Sequence, residues 1–164
     1  MTKFDDLATK ASEYITSSPV RIDDFAEELI PEVAVFVGKK RNRDLPEFRF
    51  KSCSDKEYKQ FLSDNAAPAR FLDSSGITIR IGQPVVAVNL QKISEVLLEK
   101  SAYHNFVLNL TLVLVEEAIH LANPELSEEQ VHPIDIELTE EFLEYVIPKE
   151  VKDKVGPSGS NSHV

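Results

Sequence analysis

Residues 106–122 read FVLNLTLVLVEEAIHLA, a run in which only Asn109, Thr111, Glu116, Glu117 and His120 are not apolar. The absence of Gly and Pro and the length predict one long helix over about 104–122, with Pro124 marking its exit. A helix that is apolar nearly all round must be enclosed by its neighbours. Any fold for this chain is therefore built around this helix, and its acids and histidine must be reconciled with burial.

At about 100° per residue, Asn105, Asn109, Glu116, His120 and Asn123 fall in one narrow arc, with Glu117 standing off it. Unpaired burial of such groups costs several kcal/mol, so something must compensate. Three compensations fit. Glu116 and His120, one helical turn apart, can pair with each other in a satisfied polar network. They can instead hold one metal ion, with His132 closing over it from the next helix. Or the two Glu-x-x-His units, EAIH (117–120) and EQVH (129–132), can form a two-metal carboxylate site. That last arrangement needs a four-helix frame, which the remaining elements do not supply.

The rest of the chain predicts an α+β domain with a small, mostly antiparallel sheet packed on helices. Phe4, Leu7, Ala8, Ala11 and Ile15 give an amphipathic helix over 3–17, and a second helix spans about 22–30 with Pro31 limiting it. EVAVFVG (32–38) alternates and is β-branched, so it reads as a strand. EFRFKS (47–52) reads as its hairpin partner. SDKEYKQFL begins with a capping box, Ser54 to Glu57. NAAPARFLDSSG reads as loop. ITIRI and VVAVNL are two further strands, and LQKISEVLLEK is a helix. Ser127 to Gln130 is a second capping box that starts a helix, Pro133 limits the length of that helix, and Thr139 caps a last one. The single domain is expected over 1–151, with a disordered tail over 152–164.

LVLVEEAIHL, placed after an apolar strand and a connecting helix, resembles the active-site helix of zincin-type metallopeptidases, most of all the minimal zincins. That family carries H-E-x-x-H, two histidines holding zinc and the glutamate acting as general base. Here the motif reads Glu116-Glu117-Ala118-Ile119-His120, with glutamate at the first ligand position. The resemblance implies a zinc cofactor held by Glu116 and His120, with Glu117 as the catalytic base. His132 is the third ligand by spacing, with Asp135 and Glu137 as nearby substitutes. An extra carboxylate makes zinc-bound water less acidic. The expected function is thus a degenerate, non-catalytic zincin-like domain that binds a peptide or protein partner. The alternative is an active zinc peptidase using Glu116, His120 and His132 as ligands and Glu117 as base. A bound peptide is expected antiparallel along ITIRI, by strand addition.

Charge and composition narrow the partners. A net charge of −10 opposes nucleic-acid binding. The basic stretch GKKRNRDLPEFRFK (38–51) reads as a solvated hairpin. The lone Cys53 reads as an apolar filler in a reducing compartment. The interrupted apolar run is too short for a bilayer, and the N-terminus lacks a signal-peptide pattern, so the expectation is a cytoplasmic protein without a membrane partner.

Overall fold

The computed structural model describes residues 22–80, 82–95 and 103–145. The helix expected over 3–17, the end of the one beginning at Leu90, and the tail over 152–164 lie outside the described residues.

The enclosing layers begin with α1 (Ile22–Arg41), a single helix that runs through Pro31 and takes in EVAVFVG. That segment is not a strand. Ala26, Leu29, Ile30, Val33 and Val37 are buried at helical spacing, whereas Val35 is 56% exposed. Alternation and helical periodicity coincide at Val33 and Val37, and packing selects the helix. Pro31 and Glu27, whose carbonyl loses its helical donor, both sit on the exposed side, which limits the cost of the missing bond. The helix ends in a Schellman motif. Asn42 takes a left-handed φ of 54°, its N–H donates to the Lys39 carbonyl, and the Arg43 N–H donates to that of Gly38. The basic segment is accordingly the last turn of α1 and an irregular connection, not a hairpin loop; its cations suit a helix C-terminus.

Strand β1 (Arg49–Cys53) comes next, then α2 (Asp55–Asp64). The Ser54 box closes in both directions: the Glu57 N–H donates to Ser54 Oγ at 3.2 Å, and the Ser54 N–H donates to Glu57 Oε1 at 2.8 Å. Part of the expected loop forms a 3₁₀ turn, Ala69–Asp73. Strands β2 (Gly76–Ile79) and β3 (Val85–Asn89) lead into α3 (Leu90–Ser94). The long helix is α4 (Tyr103–Ala122), and α5 (Glu128–Tyr145) runs unbroken through Pro133. Ser127 starts α5 as its capping box predicts, its Oγ accepting from the Gln130 N–H. Thr139 starts nothing; inside the helix its hydroxyl donates to Asp135 Oδ1 at 3.1 Å.

The α+β class holds, but the sheet is mixed, in the order β1-β3-β2. β1 runs parallel to β3 and β2 antiparallel to it. The reason is the helical fate of 32–38, which removes the hairpin partner of β1. Alternation in β3 then serves two cores. Val86 and Val88 pack towards α1, α4 and α5, while Ala87 joins Ile77, Tyr58, Leu62 and Cys53 beneath α2. By length and composition the Asn105–Ala122 window of α4 suffices to cross a membrane, contrary to the reading of its interrupted apolar run; 61% of that window is buried within the fold.

Strand β2 lies against α4 with no room for a side chain at its first residue. A Cβ on Gly76 would stand 2.6 Å from Val113 Cγ1 and 3.2 Å from Glu117 Oε2. Gly76→Ala is therefore expected to force strand and helix apart and to destabilise the protein by about 1–3 kcal/mol in urea unfolding. Unchanged stability would mean that this approach is not constrained.

Candidate metal centre

The α4–α5 connection, Asn123 to Ser127, is short, so the two helices fold back on each other about Pro124. Residues equidistant from that turn then face one another: His120 opposes Glu128, and Glu116 opposes His132. His120 Nε2 lies 3.4 Å from Glu128 Oε2. One ligand atom each from Glu116, His120 and Glu128 lie within 4.8 Å of one another.

Of the residues singled out from sequence, the structure brings Glu116 and His120 together and places Glu117 beside them. His132 does not belong to that group. It is exposed, one turn beyond Glu128 on α5, and close enough to act electrostatically on Glu116. Asp135 is buried behind Glu116, and Glu137 is exposed. Glu128 takes the third position. The signal for it was present: Glu128-Glu129-Gln130-Val131-His132 repeats the spacing of Glu116-Glu117-Ala118-Ile119-His120. Only the reversal of direction at Pro124 decides which member of the second unit meets the first.

Burial also falls differently from the polar arc. Asn105 and Asn109 are exposed, and Glu116 and His120 are partly covered. The deeply buried acid is Glu117, 2% exposed, which stands off the arc and points at β2. Thr78 Oγ1 donates to Glu117 Oε1 at 2.8 Å. Burial pushes the Glu117 carboxyl well above the usual carboxylate range, and the adjacent Glu116 charge pushes the same way. Burial also raises Glu116, with Glu128 adding to the effect, while His120 and His132 oppose it. The two neighbouring glutamates act on each other, and the hydrogen bond from Thr78 is what opposes the rise at Glu117. Of the two, Glu117 is the more deeply buried and its carboxyl is pushed further up.

Arginines from two other elements hold this end of α4. Arg80, directly after β2, donates from Nη2 to the His120 and Leu121 carbonyls at 3.1 and 2.8 Å. Arg43 reaches the Ala122 carbonyl at 3.4 Å, and Arg41 Nε donates to Asn123 Oδ1 at 2.8 Å. These bonds satisfy carbonyls that a helix end leaves free and place positive charge at the negative end of its dipole. They also fix the turn that bears His120. Between β2 and the ends of α4 and α5 lies a cleft of about 370 Å³, lined by Thr78, Arg70 and Arg80 on one side and Glu116, Glu117, His120 and Glu128 on the other.

Two carboxylates and one imidazole fit a divalent transition metal such as zinc or manganese. Bonds of about 2.1 Å imply ligand atoms roughly 3–3.5 Å apart, so a group spanning 4.8 Å must close slightly. Glu128, with its side chain 55% exposed, has the freedom to do so.

The surrounding acids leave a signature in stability. Burial lifts Asp135 from 3.8 to about 8, against the hydrogen bond from Thr139, and the Glu116 charge contributes. Between those pH values the unfolded chain has released this proton while the folded one retains it. Stability therefore falls as pH rises through that window. Metal-free protein is expected to unfold at lower urea at pH 8 than at pH 5. Asp135→Asn, which keeps an acceptor for Thr139, should recover about 1 kcal/mol or more at pH 8. Equal midpoints for the wild type at the two pH values would contradict the buried, protonated Asp135.

No family model, curated protein or solved structure matches this chain, so its fold and its Glu116–His120–Glu128 group stand on its own residues.

Proposed function

We propose that the cleft is a divalent-metal site in a zincin-like domain, and that the domain binds an extended peptide segment without hydrolysing it. The observation that carries the reading is the convergence of Glu116, His120 and Glu128 beside a sheet edge. Glu116 and His120 would hold the ion from α4, and Glu128 from α5. When bound, the metal would supply a Lewis acid that orients a carbonyl oxygen. β2 ends the sheet, so its outer edge carries no partner strand among the described residues. An extended segment can add there with main-chain hydrogen bonds, beside the metal position.

Two features support binding without turnover. A ligand set with two carboxylates weakens the metal as a Lewis acid. Glu117, in the general-base position of the family, is buried, is already bonded to Thr78, and has its carboxyl pushed well above the usual range by burial. A base must be free to take a proton from the attacking water. The peptidase reading retains one support, which is that Glu117 lines the same cleft as the three ligands.

Titration calorimetry of chelator-stripped protein with zinc tests the site. About one ion per chain is expected, with affinity falling about 100-fold or more in His120→Ala and Glu128→Ala. His132→Ala should change it by less than about tenfold, since that ring lies outside the group. Failure of the stripped, folded protein to bind zinc or manganese would overturn the proposal. Cleavage of a quenched fluorescent peptide by the zinc-loaded protein, abolished by Glu117→Gln, would replace it with the peptidase reading.

A further inference from the structure

The strand side of the cleft carries two guanidinium groups that form no direct ion pair among the described residues. Arg70 lies on the 3₁₀ turn that precedes β2, and Arg80 directly follows β2. Both are exposed, and both line the cleft. Arg70 rests over the Phe71 ring at 4.8 Å and has no hydrogen-bond or ion-pair partner among the described residues. Arg80 spends Nη2 on two helix carbonyls, leaving Nε and Nη1 with no hydrogen-bond acceptor and no ion pair among the described residues.

The turn that presents Arg70 is held from below. The Tyr58 hydroxyl donates to Ser74 Oγ at 2.7 Å, and Ser74 Oγ donates to the Phe71 carbonyl at 2.7 Å. The Phe71 and Ser74 N–H groups close the turn onto Pro68 and Phe71. Lys92 Nζ bonds the Asp73 carbonyl. Tyr58 itself is fully buried. The turn under Arg70 is thus anchored, and its guanidinium rests over the Phe71 ring with its N–H donors unused among the described residues. A guanidinium with free, fixed N–H donors suits a planar carboxylate.

We propose that Arg70, with Arg80, forms a carboxylate-binding subsite that selects peptides bearing a free C-terminus or an acidic side chain near the metal position. This rests on the peptide-binding reading above and adds to it the class of segment taken.

The test uses the zinc-loaded full chain and three fluorescein-labelled hexapeptides of the same Ala/Val/Thr sequence, followed by fluorescence anisotropy. One ends in a free carboxylate, one is amidated, and one is amidated with a penultimate Glu. At least one carboxylate-bearing peptide is expected to bind about tenfold more tightly than the neutral amide. The preferred one identifies whether terminus or side chain is read. Arg70→Met should reduce the preference below about twofold while leaving zinc stoichiometry and the affinity of the neutral peptide unchanged. Arg80→Met should reduce it also, but Arg70→Met is decisive because Arg70 closes no helix end. Equal binding of all three peptides overturns the subsite and leaves peptide binding intact. A preference that survives both substitutions but vanishes on metal removal puts the carboxylate on the metal and overturns it as well. If none of the three binds to zinc-loaded protein, the subsite fails together with the peptide reading.

Discussion

Everything in this fold depends on the need to enclose α4. Phe106, Val107, Leu110, Leu114, Val115, Ala118 and Ile119 are fully buried, and they face α1, the sheet and α5. Each buried side chain of that size contributes about 1.5–3 kcal/mol when removed from water. No other described element offers an apolar surface of comparable extent. The small mixed sheet is best understood as one wall of this enclosure. Gly76 lets that wall approach until Thr78 meets Glu117, and the close approach both seals the core and brings the edge strand to the candidate site.

The end of α4 is where enclosure and chemistry meet. A helix leaves its last carbonyls unsatisfied, and here Arg80 and Arg43 answer them from β2 and from the connection after α1. The same bonds clamp three separate parts of the chain around His120. α5 then returns immediately, so that its first turn faces the last turn of α4. Metal-type geometry in this protein is thus a by-product of a short helical turn whose outer residues are acids and histidines.

The acids around this turn repel one another, and the protein has two ways to relieve them. Proton uptake is one, since burial and neighbouring charge push both Glu117 and Asp135 upwards. A divalent cation, if held as proposed, would do so more fully, since it would stabilise the carboxylates that protons otherwise neutralise. Proton binding and metal binding are therefore expected to compete at this site. The arginines across the cleft pair directly with none of these acids; Arg80 bonds helix carbonyls and Arg70 rests over the Phe71 ring.

Much of this was determined by local sequence. The bounds of α4, the capping boxes at Ser54 and Ser127, and the strands in EFRFKS, ITIRI and VVAVNL depend on side-chain chemistry within a few residues, and the structure has them all. The pairing of Glu116 with His120 came from helical spacing alone. Tertiary structure decided what local patterns left ambiguous. EVAVFVG satisfies both a strand and a helix period, and only the core under Val33 and Val37 makes it helical. That choice removed a hairpin and made the sheet mixed. Thr139 carries a cap residue's side chain, yet the continuous burial of Val131, Asp135, Leu138 and Phe142 keeps α5 in one piece. The third member of the metal group depends on which residues stand opposite across a turn, a distance relation that no spacing within one helix contains. Sequence therefore supplied the chemistry of the candidate group, and the fold-back at Pro124 placed Glu128 rather than His132 in it.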